Sequence, residues 1–95
     1  MDLPEFQYYE NYKFKFYEDP GHAWLEVPIK LIKRFCISKE ISSCSYINGT
    51  MVYLEEDCDA PIFMKMYEEV YGKPPSYTEQ YQEYTPIRTY KYYNG

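Results

Sequence analysis

Ninety-five residues, 45% apolar and 21% aromatic, suffice for one folded domain and exclude wholesale disorder. A net charge of −5 argues against nonspecific binding to duplex nucleic acid, and no apolar run approaches the roughly 18 residues of a membrane span. The acidic start, Met1-Asp2-Leu3-Pro4-Glu5, is unlike a signal peptide, so the chain reads as soluble and cytoplasmic.

Residues 1–11 lack a clear period and read as a lead-in to an α+β domain spanning residues 12–72. Tyr12, Phe14 and Phe16 then alternate with Lys13, Lys15 and Tyr17, the period of a half-buried strand. Asp19-Pro20-Gly21 is a turn signal. A second strand puts Ala23, Leu25 and Val27 on one face and His22, Trp24 and Glu26 on the other, completing a hairpin. Pro28 fits the first turn of a helix running to about Cys36, with Ile29, Leu31, Ile32, Phe35 and Cys36 inward and Lys30, Lys33 and Arg34 on the wet face. Residues 38–43 form a polar connection, and Asn48-Gly49 predicts a type I′ hairpin between Ser43–Ile47 and Thr50–Leu54.

Asp57 or Asp59 is placed to cap the next helix, which has Pro61 near its start and Gly72 at its end, with Phe63, Met66, Tyr67 and Val70 facing the sheet. Pro74-Pro75 interrupts the chain. Ser76-Tyr77-Thr78-Glu79 fits a capping box, and Tyr77, Tyr81 and Tyr84 at helical spacing predict a short helix with a tyrosine stripe. Residues 86–93 alternate weakly, as a final strand would. The fold class expected is α+β: a small antiparallel sheet of two hairpins with two helices on one face, ββαββα, plus a Tyr-rich C-terminal extension over residues 73–95.

Fourteen tyrosines are the strongest functional signal, since Tyr supplies rigid, half-polar contact area at low entropic cost. Tyr77, Tyr81, Tyr84, Tyr90, Tyr92 and Tyr93 are candidate partner-binding residues, as an alternative to lying back over the sheet. Trp24 joins them as an interface anchor or as a ring covered by the tail. Residues 55–95 carry a net −4 against −1 for residues 1–54, so Glu55, Glu56 and Asp57 belong to the same candidate surface, although acids before a helix also favour its dipole. Their spacing does not match a calcium loop, and no metal or cofactor is expected. Lys30, Lys33 and Arg34 are candidate phosphate-binding residues, without any Gly-rich phosphate loop beside them.

No catalytic residue is assigned. His22, the sole histidine, lies near Asp19 and Trp24 but lacks a positioned nucleophile, and reads as a structural residue of the turn. Cys36, Cys44 and Cys58 lie eight and fourteen residues apart with no Cys-x-x-Cys pair, which predicts reduced, buried thiols and no closed zinc site.

The run Asp19-Pro20-Gly21-His22-Ala23-Trp24-Leu25-Glu26-Val27-Pro28, followed by Tyr53-Leu54-Glu55-Glu56-Asp57-Cys58-Asp59-Ala60, resembles a pattern in small uncharacterised proteins of phages and mobile elements. The resemblance covers roughly residues 17–70 and has Gly more often than Ala at position 23. It implies a phage-like origin, favours host-interaction or counter-defence roles, and assigns no chemistry to any residue. The expectation is a non-enzymatic protein that binds and occludes a host protein or complex, such as a CRISPR nuclease, in the manner of an anti-CRISPR inhibitor. The alternatives are a nucleotide-sequestering small-ligand binder using Lys30, Lys33, Arg34 and the Trp24 or tyrosine faces, and a virion or structural component that forms homo-oligomers.

Overall fold

A computed structural model describes residues 3–94, with side chains from Gln7 onward. The fold is α+β, a six-stranded sheet with three helices. Helix α1 (Leu3–Glu10) precedes strands β1 (Lys13–Glu18) and β2 (Ala23–Pro28), helix α2 (Ile29–Arg34), and strands β3 (Tyr46–Asn48) and β4 (Met51–Glu55). Helix α3 (Ala60–Tyr71), strand β5 (Ser76–Tyr81), a 3₁₀ turn (Pro86–Thr89) and strand β6 (Lys91–Tyr92) complete the chain. The strand order is β5-β1-β2-β4-β3-β6.

The alternation at the start of the domain does what its period demands. Phe14 of β1 and Leu25 and Val27 of β2 enter the core from one face, joined by Val52 and Leu54 of β4. Leu31, Ile32 and Phe35 from α2 and Phe63 and Tyr67 from α3 cover that face. Each such fully buried side chain contributes about 1.5–3 kcal/mol of transfer free energy. The Tyr67 hydroxyl shares its proton between the carbonyls of Tyr9 and Glu10, at 2.5 and 2.8 Å, which ties α3 to α1.

Several expectations need correction. Residues 3–10 of the lead-in are helical rather than aperiodic, while Met1 and Asp2 lie outside the described residues. The sheet is mixed, because β5 runs parallel to β1, from Lys13↔Ser76 to Glu18↔Tyr81. The tyrosine-striped helix predicted for this stretch is therefore strand β5. Its sequence suits either state locally; the open edge of β1 offers a row of backbone partners that an isolated one-turn helix cannot match.

The second hairpin turns one residue later than predicted. Asn48 pairs with Met51, leaving Gly49 and Thr50 as the two loop residues, and only Gly49 has positive φ, at 62°. A type I′ turn needs positive φ at both central residues, whereas type II′ needs it only at a leading Gly. The predicted cap of α3 is also absent. Asp59 occupies the N-cap position without a side-chain bond to the helix, its carboxylate being engaged elsewhere. Helix α2 stops at a Schellman motif: Ile37 N–H donates to Ile32 O at 3.2 Å, Cys36 N–H donates to Lys33 O at 3.0 Å, and Cys36 is left-handed at φ 59°.

Past α3, the chain works as a strap. After β5 it crosses the sheet face opposite the helices and ends as β6 on β3, the far edge, spanning five strand spacings or roughly 24 Å. Ile87 of the strap buries itself against Trp24 and Tyr53, with Tyr17, Tyr46, Met51 and Tyr90 around them. Ile87 and Tyr90 of the tyrosine-rich segment therefore form part of a second core layer.

Candidate functional site

Asp19 anchors the strap. Its carboxylate accepts the N–H groups of Gly21 and His22 at 3.0 and 2.9 Å, which closes the β1–β2 turn predicted from Asp19-Pro20-Gly21. From the strap, Arg88 Nε and Nη2 donate to its two oxygens at 2.7 and 2.9 Å, and the Thr85 hydroxyl donates at 3.2 Å. The Asp19 side chain is 2% exposed and Arg88 45%. The Arg88 hydrogen bond holds the Asp19 carboxyl well below the usual carboxylate range; burial opposes it, and the two backbone N–H groups add to it. A Cβ at Gly21 would lie 3.0 Å from Arg88 Nη2, so the turn glycine gives the guanidinium its room.

Arg88 then reaches over the Trp24 ring, 5.6 Å from its centroid. His22 lies 5.9 Å and Tyr46 6.2 Å from the same ring. Trp24 itself is 2% exposed, and its indole N–H has no hydrogen-bond partner among the described residues. Of its two expected roles, the ring covered by the tail is the one observed. These groups floor an open groove of about 370 Å³, whose rim is Ser43, Cys44, Glu55, Asp57, Cys58 and Tyr92. Tyr92 stacks on Tyr46 at 5.2 Å.

The groove brings together Trp24, Glu55, Asp57 and Tyr92 from the predicted partner-binding set, which lie far apart in sequence. Glu56 is exposed beside them, its carboxyl pushed up by burial first and then by Asp57 and Glu55. Glu55 is partly committed to structure: its Oε1 accepts the N–H groups of Asp57 and Cys58, both at 2.9 Å.

The other tyrosines divide. Tyr77 and Tyr81 stand on β5 at 42% and 59% exposure, and Tyr84 follows in the strap at 91%. This edge is three strand spacings, about 14 Å, from β4 and the acidic rim. Tyr90 is half-buried on Tyr53 at 5.2 Å. Tyr93 is buried, its hydroxyl donating to Ser38 O at 2.7 Å and its N–H to Ser45 O at 2.8 Å. Burial first, and then the Glu26 carboxylate that accepts from its hydroxyl at 2.8 Å, push the Tyr53 phenol upward.

Lys30, Lys33 and Arg34 sit on α2, whose Leu31 and Ile32 pack into the helix-side core, whereas the Trp24 ring belongs to the strap side. The two halves of the predicted nucleotide site thus lie on opposite faces of the sheet.

The expectation that the thiols are buried also fails. Cys36, Cys44 and Cys58 are all exposed, because Cys36 occupies a helix end and the other two lie in loops. The described residues contain no helix long and apolar enough to cross a membrane. Comparison with protein-family models, with curated proteins and with solved structures finds no match for this chain.

Proposed function

We propose that this is a non-enzymatic, phage-type interaction protein that binds and occludes a host protein, an anti-defence inhibitor of the anti-CRISPR kind, docking through its β5 edge. The observation that carries this reading is the edge itself. Strand β5 ends the sheet with every residue exposed, and its outer backbone row has no partner strand among the described residues. Long exposed edges invite pairing with an extended segment of another chain, and Tyr77, Tyr81 and Tyr84 flank this one as amphipathic anchors. Glu79 and Glu83 give the edge an acidic character that suits a basic host surface.

The test is a pull-down from host lysate with wild type and with the triple variant Tyr77→Ala, Tyr81→Ala, Tyr84→Ala. All three rings are substantially exposed, so the variant keeps the fold by circular dichroism. The expected result is a stoichiometric host protein recovered by wild type and lost by the variant. Recovery of nothing by folded wild type would end this reading. The same edge supports a second one, self-assembly by β5–β5 pairing, which light scattering distinguishes: ordered oligomers that the triple variant abolishes.

A further inference from the structure

Strand β5 carries different chemistry on its two faces. Bridge partners in a parallel pair share a face, so Tyr77, Glu79 and Tyr81 lie with Phe14, Phe16 and Glu18 on the helix side of the sheet. Phe14 belongs to the core there, and the Tyr77 ring lies 5.3 Å from that of Phe16. Glu83 accepts the Tyr81 hydroxyl at 3.2 Å, which places a second carboxylate at the end of the row. Ser76, Thr78 and Gln80 take the strap side, with Lys13, Lys15 and Tyr17. The backbone divides the same way. Gln82 N–H donates to Glu18 O at 2.9 Å, so the even-numbered residues of β5 bond inward to β1, while Tyr77, Glu79 and Tyr81 turn their N–H and C=O groups outward. The opposite edge of the sheet offers no comparable row, since β6 is only two residues long.

Resting on the reading of β5 as the docking edge, we propose that the segment it accepts is an extended strand of another protein, with a Lys or Arg flanked at i−2 and i+2 by apolar residues. Residues of an added strand that stand opposite Tyr77, Glu79 and Tyr81 point to the same face as they do. The central one meets the Glu79 carboxylate, and the outer two meet the phenol rings, which pair well with β-branched or aromatic side chains. The pattern reads the same in both directions, so it holds for parallel and for antiparallel addition. The residues between project to the strap side, where Lys13 and Lys15 are exposed on the next strand and discourage a cation. A second copy of this chain fits less well. Two-fold pairing that matches Tyr77 with Tyr81 sets Glu79 opposite Glu79, and like charges so placed repel.

Fluorescence polarisation with labelled heptapeptides tests this on the full-length chain. The probe Thr-Ile-Thr-Lys-Thr-Ile-Thr presents the pattern. One control replaces its Lys by Glu; the other, Thr-Thr-Ile-Lys-Ile-Thr-Thr, keeps the composition but puts the cation on the face opposite the isoleucines. The expected result is saturable binding of the probe, with both controls weaker by about 5-fold or more. Glu79 is exposed, so Glu79→Lys should keep the fold by circular dichroism and reverse the preference between the Lys and Glu peptides. Bound probe should also slow amide hydrogen exchange at Tyr77, Glu79 and Tyr81, which binding elsewhere on the surface would not do. Equal affinity for probe and controls, no binding of the probe, or a wild-type preference retained by Glu79→Lys would each overturn the proposal. Any of these, with a host protein still recovered through the three tyrosines, leaves the docking edge standing and the partner's chemistry wrong. Oligomers of wild type that the triple variant abolishes would also overturn it, by giving the edge to a second copy.

Discussion

Replacing Asp59 by Ala tests the network that organises the groove. The residue is 2% exposed, and its carboxylate serves Ser42 and Ser45 rather than the helix it precedes. Ser45 is fully buried, so its hydroxyl loses an acceptor that water cannot replace, at about 2 kcal/mol for a bond to a charged group. Ser42 is exposed, and its donors regain water, leaving about 1 kcal/mol more. The expected destabilisation is about 3 kcal/mol, which for a domain of this size lowers Tm by roughly 12–24 °C. Urea unfolding followed by far-ultraviolet circular dichroism measures it. A cycle with Ser45→Ala isolates the pair, with an expected coupling of about 1.5–2 kcal/mol. If Asp59→Ala costs under about 1 kcal/mol, or the cycle shows no coupling, the network does not hold the loop of Ser42 and Ser45 against the turn before α3.

Four further outcomes are expected. Arg88→Ala unlatches the strap, so Trp24 fluorescence shifts to the red and proteolysis within residues 82–90 accelerates, while Arg88→Lys restores only part of the protection. Because the Asp19 carboxyl is lowered in the fold, its contribution to stability is complete above the unfolded carboxylate range near pH 4 and is lost as pH falls below it; Asp19→Asn should flatten that part of the acid-unfolding curve. The Tyr71 phenol is pushed up to about 12, chiefly by burial and then by Tyr67, so its contribution is complete below about pH 10 and lost as pH rises through 12; Tyr71→Phe should reduce alkaline unfolding. Cys36→Gly should stabilise the protein by roughly 0.5–1 kcal/mol, since only Gly accepts φ near 59° without Cβ strain, and an unchanged Tm would show that the helix end absorbs it.

The candidate site was only half legible. Outward tyrosines at 77, 81 and 84 and an acidic turn at 55–57 could be read from residue type and charge, and both lie on the surface. The fates of Tyr90, Tyr93 and Trp24 could not, because each depends on what the strap covers. The clamp of Asp59 on Ser42 and Ser45 was hidden too. Its only advance signal was the serine-rich stretch around Cys44 facing an Asp one residue after Cys58, which has meaning only once the loops meet.

What the chain determined by itself were the features whose energetics are local. Alternation set the inward faces of β1 and β2, Asp19-Pro20-Gly21 set their turn, and the Phe63–Tyr67 stripe ending at Gly72 set α3. What only the tertiary structure decided was everything that depended on a distant partner. Ser76–Tyr81 became a strand because β1 had an unpaired edge, and the strap chose its face because Asp19, Trp24 and Tyr53 were there to receive Arg88 and Ile87. Short polar segments have nearly balanced helix and strand propensities, so a few long-range hydrogen bonds and one buried apolar side chain outweigh any preference their own residues carry.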